Sequence, residues 1–413
     1  MSRPSNRTFA LLLSPLVLGA ASCDTSATGD SAAAPTSTPG PATGGGGGEG
    51  PPNAGNSPVT GNPPFDRRTV GSFDEPWALA FAPGTSNLFV TERPGTMKFV
   101  DTRSGQVGTV TGLPEVDYGG QGGLGDVAFL QSESKAELGG RTIYLSWAEA
   151  GSGDTRGAVV GRGTLECGSA TSCNVEGLQV IWRQDPKVTG RGHYSHKIAF
   201  SPDEQYMYVA SGDRQKQDPA QDTSNTLGSI VRLNLDGSPA SGNPLAGQSG
   251  ASDEIWSYGH RNTLGLQFDT QGRLWNLEHG PAGGDELNLV ERGVNYGWPV
   301  VSYGDNYNGS PIPRHPTRPE FREPAIYWTP VIAPGDFIFY SGNAFDAWRG
   351  DAVIANLKVE NIVIVDVSGN TARQTARYSF DRRLRDIAQA PDGTIWIAAD
   401  GDNAPLYHLT PKN

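Results

Sequence analysis

Two histidines precede a predicted strand in the stretch RGHYSHKIAF, residues 191–200, where His193 stands three residues before His196. Histidine is the side chain whose ordinary pKa lets it accept and release protons near neutral pH. A histidine at the entry to a strand also commonly serves only as a hydrogen-bonding surface group. The stretch is therefore a candidate site of proton transfer, with a surface role as the alternative.

An arginine and an amide stand side by side in GHRNTLG, residues 259–265, as Arg261 and Asn262. A guanidinium beside an amide suits a planar ligand that carries carbonyls or carboxylates. The alternative is that Arg261 pairs with a neighbouring acidic side chain.

A second basic group lies in RRLRDIAQAPDG, residues 382–393, where Arg383 and Arg385 are two apart and so share one face of a strand. With Lys358 they would form a positive patch on a chain whose formal net charge is −12. Such a patch, if its members converge, is expected to bind an anion.

Oxygen donors crowd into EHGPAGGDELNLVERGVNYGWP, residues 278–299, among glycines and prolines that prevent a regular helix or strand. Calcium binds six to eight oxygen ligands, backbone carbonyls included. The alternative is an ordinary polar loop capped by Asp285. The candidate ligands are the carbonyls of Gly280 and Pro281 for one ion, and Glu286, the Tyr296 carbonyl and Asp305 for a second.

The elements that must position these residues are short strand pairs. An apolar run, a polar turn and a second apolar run recur at intervals of roughly 40–70 residues, a spacing typical of propeller blades. About 345 residues at four strands per blade give about five to seven blades, and a pair of β-sandwiches is the alternative. The repeats are residues 76–93, 196–213, 264–280 and 384–402, with a looser copy formed by 123–130 and 141–149.

Several functional classes lose support. The negative net charge argues against a nucleic-acid partner. GQGGLG, residues 120–125, matches a dinucleotide-binding fingerprint, but a strand-like segment follows where a helix is required. Its glycines are expected to allow close backbone approach, with Gln121 directed at the neighbouring group. Motifs of serine hydrolases, zinc proteases and P-loop NTPases are absent from the sequence.

The N-terminal region is predicted to direct export. Residues 1–23 combine two arginines with an apolar run too short to span a bilayer. They end at Cys23, which resembles the acylated residue of a bacterial lipoprotein; ordinary cleavage near Ala21 is the alternative. Residues 24–64 are rich in Gly, Pro and Ser and are predicted to be a disordered linker. Residues 65–413 form the predicted globular domain.

The other two cysteines, Cys167 and Cys173, lie in LECGSATSC. In an oxidising compartment such a pair is expected to close a small loop through a disulfide. A zinc pair is the alternative.

These stretches together resemble the PQQ-dependent soluble glucose/aldose sugar dehydrogenase family. The resemblance runs in family order from about residue 70 to about 400 and implies an all-β, six-bladed β-propeller with PQQ and Ca²⁺ as cofactors. The matching phrases are PWALAFAP, LFVTERPG, GGQGGLGDVAF, GHYSHKIAFSPD, SGD, GSIVRLNLDG, GHRNTLGLQFD, EHGPAGGDELN, GVNYGWP, LK and RLRDIAQAPDG.

The resemblance also implies residue roles. His193 would take the proton from the anomeric hydroxyl of an aldose while hydride passes from C1 to PQQ, and Arg261 would stabilise the developing charge. A lactone would result, and an external acceptor would receive the electrons. PQQ is assigned to Gln121, Arg261, Asn262, Lys358, Arg383, Arg385 and Asp400. Calcium at PQQ is assigned to Gly280 and Pro281, and a structural calcium to Glu286, Tyr296, Asp305 and Glu323.

One position departs from the family pattern. The soluble glucose enzymes carry Asp directly before the catalytic histidine, and here that position is Gly192. Asp213, at the end of a nearby predicted strand, is the candidate replacement.

Other functions remain open at this point. A calcium-dependent propeller lactonase would need the cation and the histidine but not the arginines and Lys358 together. A non-enzymatic binding propeller would be expected to lack part of the ligand set. A sugar aldehyde of the sorbosone type is a close variant of the aldose substrate.

Overall fold

A computed structural model describes residues 50–412. The predicted export signal, Cys23 and the linker as far as residue 49 lie outside the described residues. Residues 53–60, which the sequence assigns to the linker, hydrogen-bond to the globular part: the Ala54 amide donates to the Tyr327 carbonyl, and the Thr60 amide donates to the Arg377 carbonyl. No helix within the described residues is long and apolar enough to cross a membrane.

The described part of the chain is all-β, as predicted, with short 3-10 helices at Gln131–Glu133, Asp218–Gln221, His315–Thr317 and Asp346–Trp348. Its strands in chain order are β1 (Phe65–Phe73), β2 (Pro76–Phe81), β3 (Asn87–Glu92), β4 (Thr96–Asp101), β5 (Val107–Thr111), β6 (Leu124–Ala128), β7 (Arg141–Ala150), β8 (Arg156–Ser169), β9 (Ser172–Arg183), β10 (Ser195–Phe200), β11 (Tyr206–Ser211), β12 (Ser229–Asn234), β13 (Ile255–Tyr258), β14 (Thr263–Phe268), β15 (Leu274–Glu278), β16 (Ala282–Gly283), β17 (Asp285–Leu289), β18 (Gly304–Asp305), β19 (Ile326–Trp328), β20 (Pro334–Phe339), β21 (Ala352–Asn356), β22 (Asn361–Ser368), β23 (Thr371–Ser379), β24 (Leu384–Gln389), β25 (Ile395–Ala399) and β26 (Ala404–Pro411).

Antiparallel sheets follow one another along the chain. The strand orders are β10-β11-β12-β13, β14-β15-β17-β19 and β20-β21-β22-β23. Strands β2 to β5 and β6 to β9 form two further antiparallel runs, which join through parallel pairing of β5 with β9. The last sheet has the order β1-β26-β25-β24, so a strand from the start of the domain completes a sheet made by its end. All five predicted strand pairs are present, as β2/β3, β6/β7, β10/β11, β14/β15 and β24/β25.

The first strand of each run contacts the first strand of the next. The contacts pass from β2 to β6, β10, β14, β20 and β24, and return from β24 to β2. Second strands such as β15 and β25 are buried along their whole length, whereas the outer strands β5 and β23 alternate between buried and exposed positions. Neighbouring sheets cover both faces of the second strands, and apolar residues dominate these strands for that reason.

Each first strand is interrupted by a register shift against the second strand. Such a bulge bends the strand and changes where the extra side chain points. These bulges lie on the six first strands, which contact one another in a closed ring. The residues inside the shifts are Trp77, Gly125, Asp126, His196, Lys197, Leu264, Gly335 and Arg385.

A buried charge cluster joins four of these sheets. The Lys197 ammonium lies 2.8 Å from Asp336 and 3.2 Å from both Asp126 and Asp386. Burial lowers the pKa of Lys197, but the three carboxylates outweigh it and hold that pKa above its usual range. Lys197 is therefore charged, and its ion pairs with the three carboxylates hold strands of different sheets together at the centre of the ring.

The predicted pairing of Cys167 with Cys173 is confirmed. The two residues face each other where β8 and β9 pair, and a disulfide joins them. The bridge closes the tip of the longest hairpin in the described residues.

Candidate active site

The candidate residues occupy equivalent positions in different sheets. In each sheet the start of the first strand pairs with the end of the second, as Ser195 pairs with Ser211 and Thr263 with Glu278. Residues that precede a first strand and residues that follow a second strand therefore share one edge. The residues so placed are Gln121, His193, Asp213, Arg261, Asn262, Gly280, Lys358, Arg383 and Asp400.

Side-chain contacts link these positions from sheet to sheet. The Gln121 Oε1 atom accepts a hydrogen bond from the His193 amide at 2.7 Å. His279 Nε2 lies 2.6 Å from the Pro334 carbonyl oxygen, and Arg261 Nη1 donates to the His279 carbonyl at 3.1 Å. Residues from distant parts of the sequence thus meet at one end of the ring of first strands.

A buried His–Asp pair lies at the centre of this arrangement. His193 Nδ1 is 2.6 Å from Asp213 Oδ1, and the Asp213 side chain is fully buried. An ionised carboxylate can only accept, so Nδ1 carries the proton and Nε2 keeps a free lone pair. Burial lowers the pKa of His193; Asp213 raises it in part, while Arg261 lowers it further. His193 is therefore neutral at pH 7 and can act as a base.

Backbone hydrogen bonds between separate segments hold the main chain around the His193–Asp213 pair. The Arg214 amide donates to the His193 carbonyl at 3.2 Å, and the Asp213 amide donates to the Arg261 carbonyl at 2.9 Å. His193 itself adopts a φ of 50°, in the left-handed region that costs free energy for residues other than glycine. A strained conformation held by several hydrogen bonds is typical of a functional position.

Arg261 is buried against aromatic rings. Its guanidinium carbon lies 5.1 Å from the ring centre of Trp298, and Nη2 lies 3.3 Å from the hydroxyl of Tyr307. Tyr307 is 76% exposed, the highest value among large hydrophobic side chains of the described residues. The Arg261 Nε atom is buried and has no hydrogen-bond partner within residues 50–412. A donor of the site is thus available to an acceptor from a ligand.

Two arginines and one aspartate form the basic group that the sequence indicates. Arg383 Nε donates to Asp400 Oδ2 at 2.7 Å, and Arg385 Nη2 donates to Asp400 Oδ1 at 2.7 Å. Burial raises the pKa of Asp400, but the two guanidiniums outweigh it and bring that pKa to about 2. Arg385 also stacks on Trp77 at 4.5 Å. Lys358 is exposed just beyond β21, and no acidic side chain of the described residues pairs with it.

The oxygen-rich stretch encloses a small cavity. Its lining comprises Gly259, Arg261, Glu278, His279, Gly280, Gly284, Glu286, Tyr296, Trp298, Val301 and Ser302. Gly280, Glu286 and Tyr296, three predicted calcium ligands, therefore face the same space. Pro281, Asp305 and Glu323 are not part of this lining, and Asp305 pairs with Arg314 at 2.8 Å.

Two carboxylates lie close together beside this cavity. Glu278 and Glu286 face each other across β15 and β17. Glu278 accepts from the Arg261 amide at 2.6 Å. Within residues 50–412, Glu286 pairs with no lysine or arginine, and the nearest basic side chain is His315 at 3.8 Å, whose pKa burial lowers to about 4. Burial first, and the charge of Glu278 second, raise the pKa of Glu286. Within the described residues no group of three or more His, Cys, Asp or Glu side chains is placed to hold a metal ion.

Comparison with known proteins places the chain in a family. Residues 73–408 match the model of the glucose/sorbosone dehydrogenase family. The chain belongs to this family. Aldose sugar dehydrogenase YliI of Escherichia coli (strain K12) is 33% identical to this chain over 347 residues, which cover 82% of this chain and 91% of that protein.

Solved structures agree with this glucose/sorbosone dehydrogenase assignment. The apo form of the soluble aldose sugar dehydrogenase from Escherichia coli has a TM-score of 0.77 at 31% identity, covering 84% of this chain and all of that one. The PQQ-bound form of an aldose sugar dehydrogenase from Streptomyces coelicolor has a TM-score of 0.66 at 26% identity, covering 84% and 98%.

Three aromatic residues of the candidate site were not singled out from the sequence. Trp77 lies under Arg385, Tyr307 contacts Arg261, and Trp298 contacts both Arg261 and Asp213. Trp77 and Trp298 occur inside stretches already quoted, PWALAFAP and GVNYGWP, where a tryptophan beside proline was the available signal. Tyr307 lies in a loop with no such pattern.

Proposed function

We propose that this protein oxidises an aldose at C1 to the lactone, with PQQ and Ca²⁺ as cofactors and an external acceptor for the electrons. The observation that carries the proposal is the buried pair of His193 and Asp213 next to Arg261. Family membership and the PQQ-bound relative from Streptomyces coelicolor support it. The six first strands that contact each other in a closed series support a six-bladed propeller as the scaffold.

His193 acts as the general base. Its Nδ1 proton is committed to Asp213, so Nε2 is the atom that takes the proton of the anomeric hydroxyl. Asp213 stabilises the imidazolium that forms, because an opposite charge at hydrogen-bond distance favours the protonated ring. Arg261 stabilises negative charge that develops opposite the base.

The residues available for PQQ suit a flat, anionic group that carries quinone oxygens. When bound, PQQ supplies the hydride acceptor. Lys358, Arg383 and Arg385 provide positive charge for its carboxylates. Arg261, with its unpartnered Nε, and Asn262 provide donors for its quinone oxygens. Gln121 and Asp400 hold His193 and the arginine pair in place.

The residues available for calcium also fit. Glu286 is a buried carboxylate opposite Glu278 without a lysine or arginine partner within residues 50–412, and a hard cation would balance that charge. We propose Glu286 and the Tyr296 carbonyl as ligands of a structural calcium, with Asp305 and Glu323 completing the set. The carbonyls of Gly280 and Pro281 would bind the calcium at PQQ.

We propose that the protein is exported through residues 1–23 and is either anchored through Cys23 or released. This location gives the site access to free sugars and to an external acceptor. The disulfide between Cys167 and Cys173 is consistent with an oxidising compartment.

The test is a dye-reduction assay of the full chain with PQQ and Ca²⁺ against a panel of aldoses and a sugar aldehyde, with lactone hydrolysis measured in parallel. We expect reduction that requires both cofactors. His193→Ala should bind PQQ as the wild type does but lose turnover by roughly 10²–10⁴-fold. Absence of PQQ binding, or lactone hydrolysis without sugar oxidation, would contradict the proposal.

A further inference from the structure

Trp298 is buried between Asp213, the partner of His193, and Arg261. Its indole Nε1 donates to Asp213 Oδ2 at 2.7 Å, and its ring lies 5.1 Å from the guanidinium carbon of Arg261. Its backbone is fixed as well, because its amide donates to the Gly259 carbonyl at 3.0 Å and its carbonyl accepts from Gln221 at 2.7 Å. The side chain is 7% exposed.

We propose that Trp298 is a positioning residue that holds Asp213 and Arg261 in fixed places relative to His193 and so sets how readily His193 accepts a proton. The inference rests on the proposed function for its catalytic meaning. The contacts on which it rests, from the Trp298 indole to the Asp213 carboxylate and to the Arg261 guanidinium, are formed without a bound cofactor.

The two oxygens of Asp213 have different partners. Oδ1 accepts from His193 Nδ1 at 2.6 Å and from the Gln215 amide at 2.8 Å, whereas Oδ2 accepts from the indole of Trp298. A donor on Oδ2 stabilises the carboxylate charge and weakens the support that Asp213 gives to a protonated imidazole. Without that donor, the carboxylate becomes a stronger partner for His193, and a buried oxygen loses its hydrogen bond.

Other groups also face His193. Asp213 and Arg214 follow β11, Arg261 precedes β14, and His279 follows β15. The Gln121 oxygen accepts from the His193 amide. Asp213 favours the protonated ring, whereas Arg261 and Arg214 oppose it. Trp298 contacts the strongest member on each side of this balance, which is why its removal should move the titration of His193.

The decisive variant is Trp298→Phe, which removes the N–H donor and keeps a smaller aromatic ring near Arg261. NMR titration of labelled histidines in the full chain, without PQQ, should show the pKa of His193 raised by roughly 0.5–1 pH unit. The acidic limb of the kcat profile should move to higher pH by the same amount, with KM for the sugar little changed.

The matched control is Trp182→Phe, because the Trp182 indole also donates to a carboxylate, that of the half-buried Glu254, at 3.0 Å, away from the site. It should leave the titration of His193 unmoved. In Asp213→Asn, the further change Trp298→Phe should have little effect on that titration, since the acceptor that couples the two residues is gone.

A measurement on the unmodified protein covers the case in which Trp298→Phe does not fold. The indole N–H resonance of Trp298 should shift with pH at the midpoint of His193. The inference would be overturned if the chemical shift of the wild-type indole N–H does not change at this midpoint. It would also be overturned if a folded Trp298→Phe protein has an unchanged His193 titration. Failure of the proposed sugar oxidation would appear instead as a wild-type protein without turnover, whatever the titrations show.

Discussion

Carboxylate support for His193 comes from a strand end rather than from the neighbouring residue. Asp213 follows β11 and is within hydrogen-bond distance of the ring, as the sequence comparison with the family pattern predicts. A side chain at Gly192 would meet Gln215, because an added Cβ would lie 2.5 Å from its side chain. Glycine at 192 therefore agrees with the packing of this loop.

Asp213→Asn tests this support at the scale of one residue. Asp213 raises the pKa of His193, so the variant should have a lower pKa at His193, and the acidic limb of its kcat profile should move to lower pH. At the plateau kcat should fall by roughly a hundredfold, since the base is weaker and its orientation is lost. Asp218→Asn, an exposed aspartate on the same loop, is the control. An unchanged profile in Asp213→Asn would contradict the role.

Lys358→Ala tests the basic group. Lys358 is exposed and has no acidic partner in the described residues, so its charge is available to a carboxylate of PQQ. Removal should weaken PQQ binding roughly ten- to a hundredfold, measured by titration of the apo protein. Lys412→Ala, an exposed lysine at the end of the domain, should bind PQQ like the wild type. Equal affinity in the two variants would exclude Lys358 from the site.

At the scale of elements, strand pairs with a short Pro-Asp or Asp-Gly turn were predictable. The pair β20/β21 was not, because a 3-10 helix at Asp346–Trp348 interrupts its connection and hides the repeat. The bulges were also not predictable, since a register shift depends on what the partner strand and the ring centre allow. Trp298 was visible in sequence, but its contact with Asp213 joins residues 85 positions apart.

Gly125→Ala tests one of these bulges. An added Cβ at Gly125 would lie 1.9 Å from the His196 ring and 2.9 Å from Ser146 Oγ, so β6 or β10 would have to shift. The free energy of unfolding should fall by about 1–3 kcal/mol, measured by urea denaturation. Gly168→Ala, where an added Cβ has no neighbour within 4 Å, should change it by less than about 0.5 kcal/mol. Similar losses in both variants would contradict the packing argument.

At the scale of the whole molecule, Lys197 is the cation that lets three aspartates from different sheets share the ring centre. Lys197→Met leaves those carboxylates buried without a counter-charge, and the free energy of unfolding at pH 7 should fall by about 3–5 kcal/mol. Thermal and urea unfolding would measure this loss. Lys216→Met, an exposed lysine, is the control and should unfold like the wild type.

The loss in Lys197→Met should depend on pH. Burial already raises the pKa of Asp336 and Asp386 in the folded protein, and removal of Lys197 raises both further. A carboxyl whose folded pKa exceeds its unfolded value stabilises the fold when protonated. The variant should therefore regain stability as the pH falls through the raised pKa values toward about 4, the ordinary value for aspartate. A loss that is the same at pH 7 and pH 5 would rule out the electrostatic explanation.

The last sheet pairs the first strand of the domain with the last, which affects when this sheet can be completed during synthesis of the chain. Its outer strand, Phe65–Phe73, leaves the ribosome first among the strands, whereas its partner, Ala404–Pro411, leaves last. Phe65–Phe73 must therefore wait without its partner through the synthesis of more than three hundred residues. Closure of the ring thus requires the final strand, and a truncated product that lacks Ala404–Pro411 would leave the molecule open.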